Sequence, residues 1–148
     1  MTINSLLERG FIERRDFSEK EISDLFDIVE RDLNDSNTGD LSLDWKFGIA
    51  YNAALKLATI LVRGSSLRVK SGSHHMNTIA LLPAILGEDY IDDKNYLDSC
   101  RRKRNAVEYD YTGGVTEIEV AELQDFVVEL KTKVVEWCVK NSISLLDR

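Results

Sequence analysis

The chain has 148 residues, 43% of them hydrophobic and 30% charged, with a formal net charge of −7. This is the length of one domain with one core, and the balance of a folded rather than a disordered chain. A net −7 excludes broad coating of nucleic acid, which needs many phosphate contacts. The expected layout is a single domain over 1–148, with an extension at 1–17, a bundle over 18–141 and a tail at 142–148.

In chain order, residues 4 to 10 predict a short helix ending at Gly10, and Arg14-Arg15-Asp16 a solvated connector. Ser18-Glu19-Lys20-Glu21 matches a capping box, in which the Ser and Glu side chains each satisfy a free backbone N–H. Behind it Ile22, Leu25, Phe26, Val29 and Leu33 keep a helical face, ended by the polar cluster from Asn34 to Asp40. A third helix runs from about Ser42 to Arg63, apolar nearly all round and therefore buried by several neighbours. Its polar exceptions, Tyr51 and Asn52, read as core hydrogen-bonding groups. Gly64-Ser65-Ser66 breaks that helix, and Leu67 to Gly72 reads as a basic connector. Ser73 is placed to cap a helix reaching Leu86, kinked or shortened by Pro83, with His74 and His75 in its first turn. There the helix dipole disfavours the imidazolium.

The next helix spans about Tyr90 to Tyr111, and Thr112-Gly113-Gly114-Val115 is the tightest turn signal in the chain. Thr116-Glu117-Ile118-Glu119 is a second capping box. It opens a helix over 116–141, with Val120, Leu123, Val127, Leu130, Val134 and Trp137 on one face. No strand pattern is evident. The expected fold is all-α: an up-and-down four-helix bundle with a short extra N-terminal helix.

Cys100 and Cys138 lack a zinc spacing and fall at helical core positions, so they read as buried free thiols in a reducing compartment. The histidines form no HxxxH or HExxH pattern, so no metal and no cofactor is expected. The most apolar run, Phe47 to Val62, is interrupted by Asn52 and Lys56 and is too short for a bilayer. With no signal-like N-terminus, the expectation is a cytoplasmic protein without membrane contact.

The chemistry concentrates in Arg101-Arg102-Lys103-Arg104. Without these four, the remaining 15 of 19 Lys+Arg face 26 acids, and the rest of the chain carries −11. At 100° per residue, Leu97, Cys100, Arg104, Glu108 and Tyr111 share one helical face. An arginine among core positions is expensive unless it is paired or lines a groove. Either Arg104 and Glu108 form a half-buried i,i+4 pair, or Arg104 faces a cleft and holds a phosphate.

Three segments carry a resemblance: Asp44-Trp45-Lys46-Phe47 with Ala50-Tyr51-Asn52-Ala53-Ala54, Gly72-Ser73-His74-His75, and Arg101-x-x-Arg104-Asn105-x-x-x-Tyr109-Asp110. In order and spacing they resemble the HEPN superfamily of helical bundles, over roughly residues 18 to 140. In active members an Arg-x(4–6)-His motif paired across a dimer cleaves RNA without metal, arginine stabilising the scissile phosphate and histidine moving a proton. The arginine corresponds to Arg104, while positions 109 to 111 are Tyr-Asp-Tyr and the helix has no histidine. The resemblance implies a homodimer that binds RNA or a nucleotide in its cleft with little or no catalysis. It further implies a toxin–antitoxin or defence-type system, with a minimal nucleotidyltransferase as antitoxin partner. The alternatives are an active metal-independent endoribonuclease toxin and a purely structural dimerising bundle. The candidate catalytic set is Arg104, Glu108 and Tyr109; the candidate ligand-binding set is Arg101, Arg102, Asn105, His74 and His75.

Overall fold

The computed structural model of the chain describes residues 2–70, 72–109 and 114–145, with side chains for all of these except 107–109. The described residues form an all-α helical bundle with one small ribbon. The elements are α1 (Ile3–Glu8), β1 (Ile12–Arg14), α2 (Glu19–Ser36), α3 (Leu43–Gly64), β2 (Leu67–Val69), α4 (His74–Leu86), α5 (Ile91–Tyr109) and α6 (Glu117–Lys140). A single 3-10 turn, Glu88–Tyr90, joins α4 to α5.

α3 is the axis of the molecule. Alanines 50, 53, 54 and 58 along it are buried, and their small side chains let neighbouring helices approach closely. It packs against α2, α4, α5 and α6, which explains its apolar residues on nearly every face. Around it Ile22, Phe26 and Val29 of α2, Leu97 of α5 and Leu123, Val127 and Val134 of α6 close the main core.

Both N-terminal signals of the long amphipathic helices are real, but they differ. At Thr116 the capping box is complete, with the Thr116 hydroxyl accepting from the Glu119 N–H at 3.1 Å and Glu119 Oε1 accepting from the Thr116 N–H at 3.0 Å. At Ser18 the hydroxyl accepts from the Glu21 N–H at 3.1 Å. The Glu21 carboxylate, however, is taken by Arg63 of α3. The local motif thus lends its acid to a long-range contact.

Two local expectations are overturned. β1 and β2 form an antiparallel ribbon with Ile12 opposite Val69 and Arg14 opposite Leu67, where the sequence suggested connectors only. Three residues per strand are too few for a period-2 pattern to stand out. Ile12, Leu67 and Val69 turn inward to join Leu6, Val62 and Leu81 in a second apolar cluster. Ser73 does not cap α4: it sits in the left-handed region (φ 46°, ψ 35°) and makes no capping side-chain bond. Pro83 is accommodated within α4, which continues to Leu86.

Both polar exceptions of α3, Tyr51 and Asn52, find partners. Asn52 donates to the buried Asp32 carboxylate at 2.6 Å. Cys100 and Cys138 are buried and free, and burial pushes both thiols up to about 11. No helix among the described residues is long and apolar enough to cross a membrane.

Candidate anion-binding site

The basic run on α5 divides its charge. Arg101 Nε meets Asp98 Oδ1 at 2.9 Å, and Arg102 lies 3.8 Å from the same carboxylate. Lys103 crosses to α6 and pairs with Glu119 at 2.6 Å. Arg104 turns inward, as its place on the Leu97–Cys100 face predicted. Its Nε is sealed from solvent, and its guanidinium carbon lies 5.7 Å from the centre of the Tyr51 ring, within cation–π range. One Nη reaches Asn105 Oδ1 at 3.4 Å. The expected pairing of Arg104 with Glu108, and any role for the side chains of Glu108, Tyr109 and Tyr111, lie outside the described residues.

Sequence reasoning treated Tyr51 only as a core hydrogen-bonding group. It is buried, at 1% exposure, but it also links two candidate residues. Its hydroxyl lies 3.3 Å from His75 Nδ1, and its ring carries the Arg104 guanidinium. α3 thus holds Tyr51 between α4, which supplies His75, and α5, which supplies Arg104. Burial raises the phenol's pKa, with Arg104 and Arg101 opposing that shift in part, so the hydroxyl keeps its proton. A protonated phenol can donate to Nδ1 or accept from it, so the contact suits either neutral tautomer of His75, and Nδ1–H donating to the phenol leaves Nε2 as a free acceptor.

His75 is held below its ordinary pKa, first by burial, then by the positive charges of Arg104, His74, Lys56 and Arg101. The sequence assigned this tendency to the helix dipole; the fold adds burial and neighbouring charges. His74 is exposed at the end of α4, with its ring centre 6.2 Å from that of His75. The structure therefore brings Arg104 and His75 to Tyr51, with Asn105 meeting Arg104 alone and Arg101 contributing through its field. Arg102 and His74 stay at the solvent edge. The one signal in the sequence for this junction was Tyr51 itself, a phenol among alanines.

A pH dependence follows. Because His75 resists protonation when folded, the unfolded chain binds more protons once pH falls below about 6.5. Stability contributed by neutral His75 is complete above that pH, declines as pH falls through it, and levels off below the folded pKa. Denaturant titrations from pH 8 to pH 5 should show this decline in the wild type and a shallower one in His75→Gln. Parallel curves for the two proteins would remove His75 as the source.

No protein-family model, curated protein or solved structure matches this chain.

Proposed function

We propose that the chain is a HEPN-like bundle that binds a phosphate of RNA or of a nucleotide at the junction of Arg104, Tyr51 and His75. The observation that carries this reading is the convergence of positive charge on one half-buried imidazole. Arg104, Arg101 and Lys56 all act on His75, in a chain whose net charge is −7. An anion arriving there gains from the guanidinium, which forms strong charge-assisted hydrogen bonds to phosphate oxygens. In this reading the chain works as a homodimer beside a minimal nucleotidyltransferase, in a toxin–antitoxin pair within the cytoplasm. Exposed Ile118, Val128 and Val139 on α6 offer apolar surface for the dimer.

A second reading, a metal-independent endoribonuclease, is favoured by one feature. His75 reaches the arginine's neighbourhood from α4, although α5 has no histidine. A neutral imidazole there can accept the 2′-OH proton while Arg104 stabilises the developing phosphorane charge.

The test is Arg104→Ala, with RNA affinity and thermal stability measured together. RNA affinity should fall about 10–100-fold, the loss of one charge-assisted bond worth about 1.5–3 kcal/mol, while the fold persists. Unchanged affinity with a large stability loss would leave a purely structural bundle. Growth arrest on expression that His75→Ala abolishes would select the ribonuclease reading over simple binding.

A further inference from the structure

Beside α4, on a face that does not include His75, a cleft of about 980 Å³ opens between α1, the ribbon, α4 and α5. Its α4 wall includes Met76, Ile79 and Pro83. Among those apolar residues sits Asn77, also lining the cleft and only 5% exposed. Its side chain makes no hydrogen bond to any described residue. The other buried polar residues behave differently: Asp32 accepts from Asn52, Ser36 and Thr78 donate to backbone carbonyls, and Arg63 is fully engaged. The Asn77 amide is not among the fully enclosed side-chain atoms left without a partner: it opens onto the cleft, where a bound group can take the place of water.

The rest of the lining limits what that partner is. Arg14 of β1 and Lys94 of α5 both border the cleft, and neither side chain has an ion-pair partner among the described residues. Glu88 and Asp98, also in the lining, add carboxylate acceptors, the latter already paired with Arg101. A carboxamide is a donor and an acceptor side by side, the pattern that pairs with the amino and ring-nitrogen edge of adenine. A nearby carboxylate favours an exocyclic amine over a carbonyl-edged base. Apolar side chains suit the ring faces, methionine sulfur included, and the two spare cations suit a phosphate.

We propose that this cleft binds an adenine nucleotide, with Asn77 reading the base edge and Lys94 and Arg14 holding the phosphate. The adenine comes either as a free nucleotide or as an unstacked base of RNA. The inference rests on the proposed function only for the ligand class; the residues are different, and Asp98, which pairs with Arg101 and Arg102, joins the two regions.

Calorimetric titration of the full chain with AMP, adenosine and UMP tests it, with an adenine-only and a uracil-only RNA oligonucleotide as the second arm. AMP should bind at least about 10-fold more tightly than UMP, the scale of one good base-edge pairing. Asn77→Leu should erase that preference, with a cooperative melting transition showing that the fold persists. Lys94→Ala should weaken AMP and leave adenosine unchanged. AMP binding well above that of the adenine oligonucleotide identifies the free nucleotide as ligand, and the reverse order identifies RNA. Equal binding of AMP and UMP, no binding of either adenine form, or full AMP affinity in Asn77→Leu overturns the proposal. Arg104→Ala separates the two ideas. If it loses RNA but keeps AMP, both stand; if RNA affinity is untouched while AMP still binds through Asn77, only the Arg104 site fails.

Discussion

Arg63→Met should lower the free energy of unfolding by about 3–5 kcal/mol, because it strands backbone carbonyls whose lost partners cost about 1–3 kcal/mol each. The Arg63 side chain is 10% exposed and fills every direction of its fork. Nε donates to both Glu21 carboxylate oxygens, at 3.1 and 3.2 Å. Nη1 donates to the carbonyls of Arg15 at 3.0 Å and Leu67 at 2.6 Å, and Nη2 to that of Asp16 at 2.7 Å. One guanidinium therefore ties the end of α3 to β2, to the segment entering α2 and to the first turn of α2. Glu21 is 40% exposed and can rehydrate, so most of the loss comes from the three abandoned carbonyls. A point charge cannot reproduce a planar fork, and Arg63→Lys should recover less than half of the loss. Urea denaturation of the three proteins measures both values. A change under about 1 kcal/mol for Arg63→Met would show that water replaces the guanidinium without penalty.

Gly64→Ala is expected to destabilise by about 1–3 kcal/mol, although helix propensity alone favours alanine by about 1 kcal/mol. Gly64 is the last residue of α3. A Cβ there would sit 2.8 and 3.0 Å from two atoms of the Trp137 ring and 3.0 Å from the Ile143 Cδ1. The indole belongs to α6, which packs along α3, so relief requires the two helices to part or the ring to leave its seat. Gly64→Ala combined with Trp137→Leu should recover much of the loss, and a double-mutant cycle gives the coupling. A rise in melting temperature for Gly64→Ala alone would mean that the ring swings away freely and propensity governs the site.

These two residues mark where sequence reading stopped. Arg63 was read as the last residue of a helix and Gly64 as the start of a break, both correct within about one position. Neither reading carried the contact that gives the residue its effect. Along α6 the sequence was far more informative: the capping box at Thr116 and the face Val120, Leu123, Val127, Leu130 and Val134 all appear in the structure. The candidate site lies between these cases. Arg104 was legible as an inward-facing arginine because its periodicity with Leu97 and Cys100 is local. Its neighbours Tyr51 and His75 come from other helices, and no window along α5 contains them. Asn77 drew no attention at all, since a lone asparagine on a helix is ordinary until its surroundings prove apolar.

By itself, the sequence determined the all-α class, the limits of α2, α3, α4 and α6 within a few positions and the inward turn of Arg104. Those depend on caps, glycine breaks and a 3.6-residue period, interactions that span a few positions. Only the tertiary structure decided that Leu67–Val69 would pair with Ile12–Arg14 and that Glu21 would leave its own cap for Arg63. It also decided that a tyrosine would join a histidine to an arginine, and that an amide would line a cleft. Each of these depends on groups far apart in the chain meeting at hydrogen-bond or van der Waals distance, and that meeting is set by how helices pack rather than by any local pattern.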